Sequence, residues 1–294
     1  METLKTKLID GKEAFYLLKN GRVWKSFDGS LELPSFKAGN YKIVHILDES
    51  IDLSYHFEKD ADVSLQEVLI IEGQVNVNKT VVLEDNASVH HLCFMNSKRP
   101  GKVSITMQTK LLKRAILCLS QLFIGQTPFN FHQETKLAGE LASVHHKNVI
   151  INSSGYEQDF HLSVSHEQAK TLSSLQNYGI ANHQSLLKIF TNGIIAKKAI
   201  ASDLKQKAKG LILDEKSQIS ANPWLEINEH DCLASHGASI GAIDDQELYY
   251  LMSRGLTKEQ SEKLIINGFI WPLISEVPAG KLRSYILQEI DQHL

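Results

Sequence analysis

The sequence predicts a mainly β protein wound from short strands, followed by a small helical segment, and three observations carry that prediction. Apolar residues alternate over short runs from about residue 40 to 230, a turn of similar composition recurs, and after Gly241 the apolar period becomes that of a helix. At 294 residues the chain is long enough to bury a sizeable core.

The alternation is plainest in "VSITMQTKL", where Val103, Ile105, Met107 and Leu111 share one parity, the pattern of a half-buried strand. Similar runs recur as "VSLQEVLII", "VNVNKTVVL", "NVIIN", "FHLSV", "LLKIF", "GLIL" and "WLEI", separated by Asn, Asp, Ser, Gly or Lys. The turns "FEKDADV" ending at Val63, "LEDNASV" ending at Val89 and "LDEKSQI" ending at Ile219 echo one another, as coils stacked along an axis would. A sandwich or a barrel is built of the same parts. Absence of proline from Phe129 to Asn222 favours strands paired on both edges, hence a solenoid, although the echo fades between residues 110 and 200.

Three helices are expected after the strands. "DDQELYYLMSRG" has Asp244 and Glu247 at capping-box spacing, Leu248, Leu251 and Met252 on one face, and Gly255 beyond its end. Thr257 and Gln260 repeat that spacing ahead of Leu264, Ile265, Gly268 and Phe269, and Pro272 is expected to end or kink the segment. The third, "GKLRSYILQEIDQHL", carries Leu282, Tyr285, Ile286 and Ile290 at helical spacing. The reading divides the chain into a strand-built body, 1–242, and a helical part, 243–294.

Composition excludes several functions. A net charge of -3 with 22% charged residues offers no basic field for nucleic acid or anionic lipid. The opening "METLKTKLIDGKEAFYLL" lacks the apolar core of a signal peptide, and no run approaches the ~18 apolar residues of a membrane helix. A cytoplasmic location is therefore expected. Cys93, Cys118 and Cys232 are too widely spaced for a zinc knuckle and are expected to be reduced thiols. No GxxxxGK[ST], GxGxxG, GxSxG or HExxH element occurs, so no bound nucleotide and no serine nucleophile are expected. A carbohydrate-active coil would need converging carboxylates, whereas Asp60 with Asp62 and Asp214 with Glu215 lie in turns where solvated acids are ordinary.

Among 13 histidines, the adjacent pairs His90–His91 and His145–His146 point to opposite faces of any strand and read as ordinary strand residues. In "FHLSVSH" an extended backbone puts His161, Ser163 and Ser165 on one face and His166 on the other. The densest cluster is "EINEHDCLASHGASIG", residues 226–241. Parity pairs His230 with Cys232, while Gly237 and its small neighbours are expected to break the strand and leave His236 near its end. Two or three such ligands make an incomplete metal shell, so His236 and Cys232 would need a donor from another chain.

The block "SHGASIGAIDDQELYYLMSRGLTKEQSEKLIINGF", residues 235–269, resembles the C-terminal signature of the SufB/SufD iron–sulfur cluster assembly proteins, and "IFTNGIIAKKAIASDLKQKAKGLILDEKSQISANPWLEI" resembles the region before it. Residues 1–150 match in strand rhythm only. SufB proteins resemble "EHEA" where this chain has "SHGA" and carry cysteine where it has Ser217, so the SufD side fits better. The resemblance implies a right-handed parallel β-helix with a small helical domain, and a non-enzymatic scaffold subunit. It further implies a SufB-like partner or a second copy of the chain, a SufC-like ATPase, and a transient shared iron–sulfur cluster. In that picture His236 is the ligand offered at the subunit interface, with Cys232 a second candidate, and Leu248, Tyr249, Leu251, Arg254 and Phe269 serve ATPase docking. A homodimeric β-helix without an assembly role is the alternative.

Overall fold

The structure is a computed structural model that describes residues 6–10, 14–27, 33, 36–99 and 101–294. Its strands are β1 (Ala14–Lys19), β2 (Arg22–Ser26), β3 (Phe36–Leu47), β4 (Ile51–Glu72), β5 (Val75–Leu83), β6 (Ser88–Arg99), β7 (Val103–Leu111) and β8 (Ile116–Gly125). They continue as β9 (Phe129–Leu137), β10 (Ser143–Asn152), β11 (Glu157–His166), β12 (Leu172–Ala181), β13 (Leu186–Ile195), β14 (Ser202–Ile212), β15 (Gln218–Ile227) and β16 (Cys232–Ala242). Three helices follow: α1 (Asp245–Ser253), α2 (Lys258–Ile274) and α3 (Lys281–His293).

The strands form one sheet, ordered β15-β13-β11-β9-β7-β5-β4-β6-β8-β10-β12-β14-β16, with β1, β2 and β3 attached beside β4. Each strand beyond β4 pairs in parallel with the strand two further on, as in a solenoid of two-strand coils. The 22-residue β4 turns a corner at Asp60 and joins the two ladders, pairing β5 through Ile51–Phe57 and β6 from Asp62 onward.

One corner shows why the sequence echo is real and why it fades. Asp60, Asn86, Arg114, Leu141, Lys170 and Ala201 stack in successive coils, all left-handed with φ between 56° and 63°. Each donates its N–H to a carbonyl of the next coil: Asn86 to Lys113 at 2.9 Å, Arg114 to Glu140 at 2.9 Å, Lys170 to Ile200 at 2.7 Å. The turn repeat thus runs through residues 110–200, carried by backbone conformation while the residue type drifts from Asp to Leu to Ala. The third turn of the echo lies at a different corner, where the Asp214 carboxylate accepts from the N–H groups of Gln184, Lys216 and Ser217.

Alternation holds where one face of a strand meets water and the other the coil interior. β7 reads Val103, Ile105, Met107, Thr109 and Leu111 inward, and β9 repeats it. Inside, Phe123, Phe131 and Phe160 meet with ring centroids 4.8–5.8 Å apart; burying one such side chain contributes about 1.5–3 kcal/mol. Alternation fails in the second halves of β4, β6, β8, β10 and β12, buried on both faces because the helices lie against them. There Val68, Phe94, Leu122, Val149 and Tyr178 form one core with Ile270, Leu273, Tyr285 and Ile286 of the helices. β1, an unbroken apolar run "AFYLL", is a strand for the same reason, with Tyr16 and Leu18 in the coil interior and Phe15 and Leu17 under the helices.

The helices therefore flank the solenoid and do not cap its open end. α1 and α2 begin as expected: Asp244 accepts from the N–H groups of Gln246 and Glu247, and Thr257 with Gln260 form a full capping box. Pro272 does not terminate α2, which continues to Ile274. α3 is pinned by Glu289, which accepts from Asn96 Nδ2 at 2.6 Å and Lys98 Nζ at 2.9 Å, and by Lys281 Nζ, which donates to the Ile9 carbonyl at 2.8 Å.

Candidate functional site

Among the described residues the solenoid ends in two strands with one unpaired edge each: β15 pairs only β13, and β16 pairs only β14. Contrary to the expected break, β16 runs unbroken through Gly237 to Ala242, because the β14 backbone gives it a parallel partner along its whole length. His236 sits mid-strand, opposite Gln206, and Cys232 opposite Ser202. Both share the parity of the buried Ser202, Leu204 and Gln206, so they belong to the inward row of a coil that no described residue covers. His236 is exposed as a result, in a groove of about 540 Å³ that also takes Leu175, Gln206 and Lys207.

The structure does not bring the two sequence-predicted ligands together. Four residues of extended strand separate them by about 13 Å along the chain. Cys232 is half-buried, packs against Ile195, Ala199 and Leu204, and donates its Sγ–H to the Glu229 carbonyl at 3.2 Å. Its thiol is pushed up by burial and then by Glu229 and Asp231, which opposes thiolate formation. His230 lies in the bend ahead of β16, so its pairing with Cys232 by strand parity does not hold. In the helical part, Tyr249 is 74% exposed and Arg254 sits 5.2 Å from the Tyr250 ring. Leu248 and Leu251 are half-buried. Phe269 packs edge-on to Tyr178 at 5.6 Å and holds α2 to the body.

The histidine pairs divide as parity requires: His91 and His146 are buried, while His90 and His145 are exposed. His161 lies on the outer face, stacked on Phe190 at 4.7 Å. His166 points inward, between Thr171 Oγ1 and Ser173 Oγ at 2.7 Å each.

A second cluster, which the sequence reading passed over, fills the interior near the first coils. Glu67 is its centre, accepting from Tyr55 Oη at 2.7 Å and from Lys79 Nζ, with His91 Nε2 at 2.9 Å. His45 Nε2 lies 2.9 Å from Tyr55 Oη. Burial pushes the Glu67 carboxyl up, but Lys79 and His91 more than reverse this and hold it well below the usual carboxylate range. Burial lowers His45 to about 4 and lowers His91, so both rings are neutral, and it raises the Cys93 thiol well above its ordinary value. The donor atoms of Glu67, His91 and Cys93 lie within 4.8 Å of one another, as a metal triad's would. The Lys79 ammonium occupies that carboxylate, however, and the arrangement as folded is a charge-balanced polar knot in an apolar interior. A signal was available: Glu67 shares the parity of Val63, Leu65, Leu69 and Ile71, and Lys79 that of Val75, Val77, Val81 and Leu83, so two opposite charges stood in inward rows.

The turn acids are accounted for by the corners. Asp214, lowered to about 2 by the Ser217 hydroxyl and backbone N–H groups, caps its turn, and Asp60 accepts from Asn86 Nδ2 at 2.6 Å. Among the described residues no helix is long and apolar enough to cross a membrane.

Comparison with known proteins supplies what geometry leaves open. Residues 52–269 match the family described as SUF system FeS cluster assembly, SufBD core domain. The chain is 33% identical over 160 residues to the iron–sulfur cluster assembly protein SufD of Bacillus subtilis, covering 54% of this chain and 36% of that protein. It is 28% identical over 251 residues to SufD of Escherichia coli, covering 78% and 56%, and 25% identical over 230 residues to a SufBD family protein of Pyrococcus horikoshii, covering 75% and 50%. The chain thus spans between about a third and just over half the length of these relatives. A parallel solenoid ending in a bare strand that bears His236, with helices folded back on its flank, coincides with the matched region, and the chain belongs to the SufBD core-domain family, close to its SufD members.

Proposed function

We propose that this chain is a SufD-like scaffold subunit of iron–sulfur cluster assembly, pairing through its last coil with a SufB-like paralogue that brings cysteine. One observation carries the reading. β16 is an exposed edge strand without a charged residue, "CLASHGASIGA", and neighbouring Leu233 and Trp224 are 68% and 69% exposed. Edge strands that stay unpaired are normally guarded by charge or covered, so this one is suited to another polypeptide. His236 sits in its middle and offers one imidazole nitrogen, a ligand that holds iron at raised potential compared with a thiolate and suits a site that must release its cluster. Cys232, distant along the strand and hydrogen-bonded, is assigned a packing role. The cluster is cargo, shared with the partner, and the chain itself binds no nucleotide and catalyses nothing alone.

Residues 243–294 are assigned to docking a SufC-like ATPase, with the exposed Tyr249 and Arg254 beside the half-buried Leu248 and Leu251 as the contact face. Phe269 supports that face from behind through Tyr178. The test is co-expression of the chain with a cysteine-bearing paralogue and its ATPase, followed by anaerobic reconstitution with iron and sulfide. Native chain is expected to copurify with both and to carry cluster, and His236→Ala to copurify but lose cluster yield. Equal yield would refute the ligand role, and a stable homodimer that retains neither partner would favour a structural β-helix outside assembly.

A further inference from the structure

The outer face of the solenoid aligns three metal-ligating side chains that lie far apart in sequence. The parallel register sets His90 of β6 directly beside Cys118 of β8, and Cys118 directly beside His145 of β10. All three have outward parity, line one groove of about 540 Å³ between the sheet and the end of α2, and are exposed or half-exposed. We propose that His90, Cys118 and His145 form a binding site for a single divalent transition cation of the class that prefers nitrogen and sulfur donors, such as zinc, ferrous iron or cobalt.

The geometry follows from the sheet. Adjacent strands stand about 4.8 Å apart, so the two histidine Cα atoms lie about 10 Å from each other with the shorter cysteine midway between. An ion about 2.3 Å above a cysteine sulfur sits where two flanking imidazoles, leaning inward by ordinary rotamer changes, each close to about 2.1 Å. Two imidazoles and one thiolate suit borderline divalent metals and leave a fourth position open. Glu276, just beyond α2, lines the same groove with its carboxylate held by Lys147 and Ser120, which places an anionic group beside that position. Burial and Glu276 raise the Cys118 thiol, so binding displaces its proton, as at other thiolate sites. Sequence parity excluded a site within either histidine pair; stacking of coils recruits one histidine from each pair onto the same face. The site is on the flank, separate from the open end, and does not rest on the scaffold reading.

The test uses the untagged, reduced, full chain, titrated anaerobically with cobalt(II) while following the thiolate-to-cobalt charge-transfer absorption. One equivalent is expected to develop the band. Cys118→Ser should abolish it, and His90→Ala or His145→Ala should each weaken cobalt affinity by roughly tenfold or more. Cys232→Ser, Cys93→Ala and His236→Ala should leave it unchanged. Far-ultraviolet circular dichroism confirms that each variant is folded, as expected for outward-facing positions, and Cys118→Ala serves if the serine variant is not. Absence of the band in native chain, its survival in Cys118→Ser, its loss in Cys232→Ser or Cys93→Ala, or unchanged affinity in both histidine variants would overturn the site.

Discussion

Burial of neutral imidazoles makes the solenoid sensitive to mild acid. Burial lowers His146 to about 3, His45 to about 4 and His166 to about 4, against an ordinary value of 6.5. Because the folded values lie below the unfolded one, the unfolded chain takes up protons first as pH falls. The stability tied to these rings is complete above about pH 6.5 and is lost as pH drops toward the folded values. At pH 5 each ring is about 1.5 pH units below the unfolded value, and at about 1.4 kcal/mol per unit each accounts for about 2 kcal/mol. The three together remove about 6 kcal/mol, a large share of the usual 5–15 kcal/mol. The Glu67 carboxylate, held below its ordinary range, contributes above about pH 4.5 and fails only below it, so its window lies outside this one. The assay is urea unfolding followed by circular dichroism at pH 7 and pH 5. His146 stands between Leu119 and Leu175 on adjacent rungs, so His146→Leu keeps the interior filled. It is expected to be as stable as native at pH 7 and to lose about 2 kcal/mol less on acidification. Equal native stability at the two pH values, or an unchanged acid loss in His146→Leu, would refute the reasoning.

Two further perturbations test the interior and the corners. Lys79→Met leaves Glu67 as a buried uncompensated charge and is expected to cost about 3–5 kcal/mol by chemical unfolding, whereas Glu67→Gln with Lys79→Met should recover most of that loss. An equally unstable double variant would remove the ion pair from its central place. Leu141 holds φ 63° with 44% of its surface exposed, a conformation that asparagine tolerates better. Leu141→Asn is therefore expected to raise stability by about 1 kcal/mol, seen as a higher melting temperature, and a lower one would contradict the strain assigned to that corner.

How much of this was legible in the residues varies along the chain. The half-buried strands, both caps of the helical part and the opposite directions of neighbouring histidines were read correctly, because each depends on interactions within a few residues. The fading of the turn echo misled, since the left-handed corner is set by hydrogen bonds to the next coil and is held by Asp, Asn, Arg, Leu, Lys and Ala in successive coils. The strand break expected at Gly237 failed for a related reason: a parallel neighbour holds β16 extended through its glycines. Glu67 and Lys79 stood in the sequence as charges in inward rows, but that they cancel each other is a fact about two ladders meeting.

The sequence by itself determined the period-two body, the change to helix after Gly241 and the identity of every side chain available for chemistry, because periodicity and capping are local. Only the tertiary structure decided that β16 is an edge, that His236 faces an uncovered end while Cys232 lies out of reach, and that His90, Cys118 and His145 share a face. Those relations arise from partners 27 to 30 residues apart brought to one rung spacing by the winding of the coil, a distance over which local sequence carries no record.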